Sequence, residues 1–206
     1  MNLGIKVNDQ GIKGALLQMI NHGITTGALF ICIGIIYERT HSREIADNSA
    51  LGMMMPMYVT FLVIFSLSSF GFPGTNSFVG EFLVLFGAFS KYMLVGALAV
   101  IGAILAAAYM LRLVQKMVWA DSDGHAHPDN GKHPALADLN AREFITLLVL
   151  AFFVFWIGLN PSPVLDIMDA SVQHLLQQVE AGVHLPSAQP HAWLFELGDL
   201  VKYVYS

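Results

Sequence analysis

Residues 71–82 read Gly-Phe-Pro-Gly-Thr-Asn-Ser-Phe-Val-Gly-Glu-Phe, a helix-breaking sequence inside a long apolar stretch. Pro73 lacks a backbone donor and collides with the preceding helical turn, while Gly71 and Gly74 tolerate unwound backbone. The motif therefore predicts a helix that is interrupted here. Because the carbonyls freed at such a break must be satisfied by neighbouring helices or by water, we expect the break to line a cavity.

The motif ends on an acid with no other charge near it. Glu81 is the only charged residue between Asp47 and Lys91. An ionisable group at bilayer depth is costly, so chains that keep one there commonly use it to move ions or protons. The alternative is a carboxylate that pairs with a neighbouring helix purely for assembly. Glu81 is our first candidate for a proton-binding site.

The composition places the chain in a membrane. Hydrophobic residues make up 55% of it and charged residues 12%, with a mean hydropathy of +0.60, which is too apolar for one soluble core. We predict an all-α, multi-pass protein of the cell inner (plasma) membrane with about four transmembrane helices, since a span needs about 20 apolar residues. We interpret the second span as a single interrupted helix with a helical approach segment before it; the alternative is two short spans. The four stretches without charges are 14–37, 48–80, 92–111 and 144–165.

The distribution of charge orients the spans and excludes one class of partner. Basic residues favour the loops after the first and third spans, which predicts a cytoplasmic location for those loops. The net charge of -5 gives no footprint for nucleic acid. The small residues of the third span, such as Gly102 and Ala103, suit close helix contact.

The first span carries a polar stripe. Gln18, His22 and Thr25 fall on one face at helical spacing, with Asn21 beside them. A neutral imidazole both donates and accepts a hydrogen bond and exchanges protons close to neutral pH, so His22 is a candidate relay group. Equally, these polar side chains could hold neighbouring helices together by hydrogen bonds. The pattern leaves both interpretations open.

The segment after the last span has a different character. Val172, Leu175, Leu176 and Val179 follow the spacing of an amphipathic helix, which could lie on the membrane or dock onto a partner. We therefore divide the chain into a membrane domain, residues 1–163, and an amphipathic C-terminal tail, residues 164–206. Residues 184–206 receive no role.

The sequence lacks the motifs of an autonomous catalyst. It contains no Gly-rich phosphate loop, no Cys cluster, no nucleophile motif and no paired catalytic carboxylates. A His-x-His metal site is imaginable at His125 and His127, with His133 nearby, but no Cys supports it and the segment is typical of a solvated loop. We expect no catalytic residue, cofactor or metal in this chain.

Several stretches together resemble the subunit M family of the proton-pumping NADH:quinone oxidoreductase, respiratory complex I, in its C-terminal part. The broader antiporter-like family of proton-conducting membrane transporters includes subunits of cation/proton antiporters and membrane-bound hydrogenases. The resemblance runs from about residue 10 to Pro163. It is carried by residues 10–15 (Gln-Gly-Ile-Lys-Gly-Ala), 18–23 (Gln-Met-Ile-Asn-His-Gly), 28–30 (Ala-Leu-Phe), 34–41 (Gly-x-x-Tyr-Glu-Arg-Thr-His) and 71–82.

The resemblance implies a bundle built from inverted repeats, with a broken helix in each repeat and a central polar axis that carries protons. On this mapping His22 belongs to the central relay and Glu81 to its outer end, and we expect both side chains to be buried. The helix break is Gly71, Pro73 and Gly74, and the supporting polar residues are Gln18, Asn21 and Thr25. NADH, flavin, iron-sulfur clusters and quinone are expected in partner subunits.

The chain departs from the family in one respect. Met1 lies only about ten residues before the first matching helix, so the first repeat of the family is not in this sequence. We therefore expect a fragment of a longer subunit, an independently encoded half or the product of a misread gene. Its partners would be the missing N-terminal half, antiporter-like neighbours in complex I and the lipid bilayer.

Three functions compete at this point. The first is participation in proton translocation coupled to NADH:quinone oxidoreduction. The second is the same chemistry in a multisubunit cation/proton antiporter or a membrane-bound hydrogenase. The third is a non-transporting membrane scaffold, in which the polar residues only hold helices together.

Overall fold

The computed structural model describes residues 9–45, 47–119 and 136–184, with side chains up to residue 179. Within these ranges all regular structure is helical, which confirms the all-α class. The helices are α1 (Asp9–Thr40), α2 (Leu51–Met54), α3 (Pro56–Ser69), α4 (Asn76–Phe89), α5 (Met93–Val118), α6 (Ala141–Leu159) and α7 (Ser162–His184).

Three of these helices, α1, α5 and α6, are long and apolar enough to cross a bilayer. The predicted second span is divided between α3 and α4, each of 14 residues. Such a helix is about 21 Å long, shorter than the hydrocarbon core of about 30 Å. The predicted break between Gly71 and Gly74 falls between them, and α2 is the predicted approach segment, so both predictions are confirmed.

The hydrophobic core lies where α3 packs against α1 and α6, and it includes residues of α2 and α5. Tyr58 and Phe65 on α3 are fully buried, and the Tyr58 hydroxyl donates a hydrogen bond of 3.1 Å to the carbonyl oxygen of Cys32 on α1. The rings of Phe61 and Phe144 meet edge to face across the contact between α3 and α6. Burying large aromatic side chains in this way contributes to the packing free energy that holds the three helices together.

One end of the bundle is held by a group of charged side chains. Arg39, in the last turn of α1, forms an ion pair of 2.7 Å with Glu143 in the first turn of α6 and donates hydrogen bonds to the carbonyls of Ala137 and Asp138. The carboxylate of Asp138 in turn accepts the amide hydrogens of Met57 and Tyr58, at 2.9 and 3.1 Å. A carboxylate at this position satisfies donors that a helix N-terminus leaves free and interacts favourably with its dipole. The ends of α1, α3 and α6 are thereby joined.

The amphipathic segment predicted after the last span is α7, and it docks onto the start of α1. Val172 is buried, Asp169 pairs with Lys13, and Gln173 donates to Asp9 at 3.4 Å. The ammonium group of Lys13 lowers the pKa of the Asp169 carboxyl from its usual value. Leu175, which the spacing placed on the apolar face, is exposed.

Some of the sequence predictions concern residues outside the described ranges. His125, His127 and His133 fall outside the described residues, as does 185–206, most of the segment given no role. The division of the chain at residue 163 falls inside the first turn of α7 and stays a prediction.

We expect Arg39→Ala to destabilise the fold by about 1–3 kcal/mol, because it leaves Glu143 half-buried without its cation and removes the bonds to two carbonyls. The measurement is the temperature at which the membrane-embedded chain aggregates on heating. Arg112→Ala, at an exposed position of α5, is the matched control. Equal shifts in the two variants would contradict the role assigned to the ion pair.

Candidate functional site

The carboxylate of Glu81 lies between α1 and the helix break. Glu81 is on the second turn of α4 and is partly exposed. The amide nitrogen Nε2 of Gln18 on α1 donates a hydrogen bond of 3.2 Å to Glu81 Oε1. The other carboxylate oxygen, Oε2, lies against the backbone of Gly71. The side chain is therefore held between two elements that are far apart in the sequence.

This contact exists because α1 and α4 approach each other at backbone distance. A Cβ atom built on Gly14 would lie 2.6 Å from Cβ of Leu83, and one built on Gly80 would lie 3.1 Å from Cα of Gln18. Real Cβ atoms essentially never come as close as the first of these distances, and the second is tighter than nine in ten real Cβ contacts. A larger residue at either glycine would therefore push the helices apart. Gln18 reaches Glu81 only at this short separation.

A cavity of about 260 Å³ adjoins the carboxylate. Gln18 and Glu81 are its polar lining residues, and the rest of the wall is apolar or small. The third predicted span, α5, was expected to use its small residues for close helix contact. Some of these small residues, Gly102 and Ala103 among them, border this cavity, and their packing role stays a prediction. The other lining residues are Phe70, Val84, Leu85, Ala99, Gly102, Ala103 and Ala106.

The helix break is a short turn with two left-handed residues. Gly71 has a φ of 72° and Gly74 a φ of 95°, values that residues with a Cβ rarely adopt. The amide of Phe72 donates a hydrogen bond of 3.1 Å to the carbonyl of Leu67. This carbonyl is therefore satisfied within the turn and does not need a neighbouring helix or water. Across the break, Gly158 of α6 leaves room for close backbone contact with Gly74.

A buried polar cluster ties the start of α4 to α1 and α3. The side-chain oxygen Oδ1 of Asn76 accepts hydrogen bonds from Ser68 at 2.7 Å and Thr25 at 3.4 Å. The amide of Asn21 donates to the carbonyl oxygen of Asn76 at 2.7 Å. Asn76, Asn21 and Ser68 have no exposed surface. We call these four residues, Asn21, Thr25, Ser68 and Asn76, the inner polar cluster.

The sequence interpretation found half of this cluster. It listed Asn21 and Thr25 among the supporting polar residues and missed Ser68 and Asn76. A signal was present, because Asn76 is the first residue after the break and a polar side chain that starts a helix inside a membrane protein needs buried partners.

His22 does not join the site. It is exposed, and its ring nitrogens Nδ1 and Nε2 lie 3.2 and 3.3 Å from Thr26 Oγ1 on the same helix. The expectation that Glu81 and His22 are both buried is wrong for the described chain, since Glu81 is also partly exposed. The physical reason is helical rotation. Adjacent residues are about 100° apart, so when Asn21 faces α3 and α4, His22 points outward.

The described residues offer no obvious metal site. Within residues 9–45, 47–119 and 136–184, no three His, Cys, Asp or Glu side chains are close enough to hold an ion. The expectation that cofactors sit in other chains stays a prediction.

Comparison with known proteins gives consistent similarities. Residues 1–106 match the family described as NADH:quinone oxidoreductase/Mrp antiporter, transmembrane. NADH-quinone oxidoreductase subunit M of Rhodobacter capsulatus is 40% identical over 174 residues, 84% of this chain and 33% of the relative. NADH-ubiquinone oxidoreductase chain 4 of Arabidopsis thaliana is 40% identical over 171 residues, 83% of this chain and 33% of the relative. The chain thus spans about a third of the length of these curated relatives.

Two solved structures share the fold. Respiratory complex I from Thermus thermophilus with bound NADH matches 88% of this chain and 36% of its own chain, at 28% identity and a TM-score of 0.71. The membrane-bound sulfane sulfur reductase, an archaeal respiratory membrane complex, matches 74% of this chain and 24% of its own, at 23% identity and a TM-score of 0.61. The second likeness is one of fold alone.

We expect Asn76→Ala to destabilise the fold by about 1–3 kcal/mol, because the buried hydroxyls of Ser68 and Thr25 lose their common acceptor and keep only the hydrogen bond between them. Asn160→Ala, at an exposed position that ends α6, is the control. The temperature of aggregation in native membranes measures both. If the two variants aggregate at the same temperature, the inner polar cluster does not stabilise the break.

Proposed function

The chain belongs to the NADH:quinone oxidoreductase/Mrp antiporter transmembrane family, and we propose that it takes part in proton translocation coupled to NADH:quinone oxidoreduction. Its relatives by sequence are subunits of NADH:quinone and NADH:ubiquinone oxidoreductases, and a structural neighbour is a respiratory complex I. On this proposal the chain is a multi-pass component of the inner (plasma) membrane and performs no catalysis alone. NADH, flavin, iron-sulfur clusters and quinone act in partner subunits.

The observation that carries the proposal is the position of Glu81. Its carboxylate lies at the contact between α1 and the broken helix and lines a cavity whose other polar wall residue is Gln18. Water or a proton donor in the cavity would reach the carboxylate directly. A carboxylate in so apolar a wall is expensive unless its charge is used or neutralised.

Gln18 is suited to accompany a change of protonation at Glu81. Its Nε2 donates to the carboxylate oxygen Oε1, as it would to the charged form. Its own oxygen, Oε1, is buried and has no hydrogen-bond partner among the described residues. A protonated carboxyl needs an acceptor for its hydrogen, and this oxygen provides one after a rotation of the side chains. One amide can therefore serve both states.

His22 acts in this proposal as a relay at the exposed surface of α1. Its ring is exposed and adjoins the hydroxyl of Thr26, so a donor or acceptor on a neighbouring helix or subunit could exchange a proton with it. The partner of Glu81 on α1, Gln18, lies one helical turn before His22.

A second candidate function keeps the same site and changes the partners. The family name includes Mrp antiporters, and the fold recurs in an archaeal respiratory complex of another kind. Co-purification separates the two: NADH-oxidising subunits would support the first, and cation/proton exchange or hydrogenase subunits the second. A scaffold role, the third hypothesis, predicts that changes at Glu81 alter only assembly.

We expect Glu81→Gln to lower the number of protons pumped per NADH oxidised by the intact complex, because the amide keeps the shape of the side chain and cannot take up a proton. Inverted membrane vesicles and a pH-sensitive dye give this ratio. Glu81→Asp should retain part of it, and Glu38→Gln, at an exposed position near the end of α1, should retain all of it. Unchanged pumping by the Glu81→Gln complex would refute the assignment.

We expect His22→Gln to lower the same ratio while leaving the amount of assembled complex unchanged, because glutamine keeps hydrogen-bonding capacity and loses the titratable ring. Met19→Ala, on the same exposed face of α1, is the control. Normal pumping by an assembled His22→Gln complex would remove His22 from the relay.

A further inference from the structure

We propose that Gly71 is a positioning residue for Glu81: the space left by its missing side chain is the space that the carboxylate occupies. The proposal rests on the proposed function, since it concerns the group that would bind the proton. It adds a role for Gly71 beyond interrupting the helix. The backbone of the break and the carboxylate then form one packed unit.

The structure separates two glycines that have the same role in the sequence. Both Gly71 and Gly74 are left-handed, so both would be strained by a side chain. Their surroundings differ. A Cβ on Gly71 would collide with Glu81 Oε2 and lie 3.0 Å from Glu81 Cδ, whereas a Cβ on Gly74 would meet no atom within 4 Å. Only Gly71 makes room for another residue.

The carboxylate is bounded on two sides. Gln18 on α1 donates to Oε1, and Gly71 lies against Oε2. The amide of Gly71 is not the attraction, because it donates to the carbonyl of Ser68 at 3.2 Å. What Gly71 contributes is the absence of a methyl group. With a methyl group there, the carboxylate would have to move away from the turn.

The direction of that movement follows from the surroundings. The carboxylate is the far end of a flexible side chain, so it yields more readily than the backbone of the turn. The cavity that Glu81 lines is the open space beside it, whereas the contact of α1 with Gly80 is closed. A side chain at residue 71 therefore moves the carboxylate into the cavity and lengthens or breaks its bond to Gln18.

The test compares Gly71→Ala with Gly74→Ala in the intact complex in its native membrane. Dicyclohexylcarbodiimide, an apolar reagent that attacks protonated carboxyl groups, is added across a range of pH, and labelled Glu81 is counted by peptide mass spectrometry. We expect Gly71→Ala to raise the labelling rate at least about threefold and to shift its pH profile, because both access and hydrogen bonding of the carboxyl change. Gly74→Ala also puts a side chain on left-handed backbone, but its Cβ meets no atom within 4 Å, so this variant should label like the unmodified chain.

A second pair of variants covers the case in which alanine prevents folding. Asparagine tolerates left-handed backbone better than alanine, so Gly71→Asn reduces the strain and keeps the collision, with Gly74→Asn as its control. If labelling at Glu81 is the same in each matched pair, Gly71 does not position the carboxylate.

Pumping assays on the same membranes separate this proposal from the proposed function. A labelling change in Gly71→Ala together with normal pumping by Glu81→Gln would uphold the positioning role and refute the transport role of Glu81. Altered pumping by Glu81→Gln with no labelling difference between the glycine variants would uphold the transport role of Glu81 and refute the positioning role of Gly71.

Discussion

The backbones of α1 and α4 approach each other at Gly14 and Gly80, and the rest of the site depends on this contact. Small residues let membrane helices come close enough for van der Waals packing and for short polar side chains to meet. The polar contacts between these helices require that distance: Gln18 with Glu81, and Asn21 and Thr25 with Asn76. A larger residue at either glycine would disturb these contacts together.

The sequence was sufficient to predict most of the fold and only part of the site. The break followed from Pro73 and its glycines because their backbone chemistry is local. Glu81 followed from its isolation within apolar sequence. The face on which His22 lies could not be predicted, because helical spacing gives relative angles and the packing partner decides which angle is buried. Ser68 was missed for a similar reason, since its partners Thr25 and Asn76 are brought to it by tertiary contact.

The polar side chains of α1 have two kinds of surroundings. Gln18, Asn21 and Thr25 contact the broken helix, whereas His22 lies beside Thr26 at the exposed surface. In the family interpretation both groups belong to one proton path. His22 is one helical turn from Gln18 and about 40° further round α1. Because no hydrogen bond joins these two side chains in the described part of the chain, a path that used both would need a further group to connect them.

The cap on α3 bears on the order in which the protein is built. The carboxylate that caps the start of α3 belongs to Asp138, eighty residues further along the chain. The partners of Arg39 at residues 137–143 are even more distant from it in the sequence. Ribosomes deliver the chain from the N-terminus, so α1 and α3 enter the membrane before these partners exist. The charged end of the bundle therefore closes only when α6 arrives, and until then the broken helix lacks one of its two anchored ends.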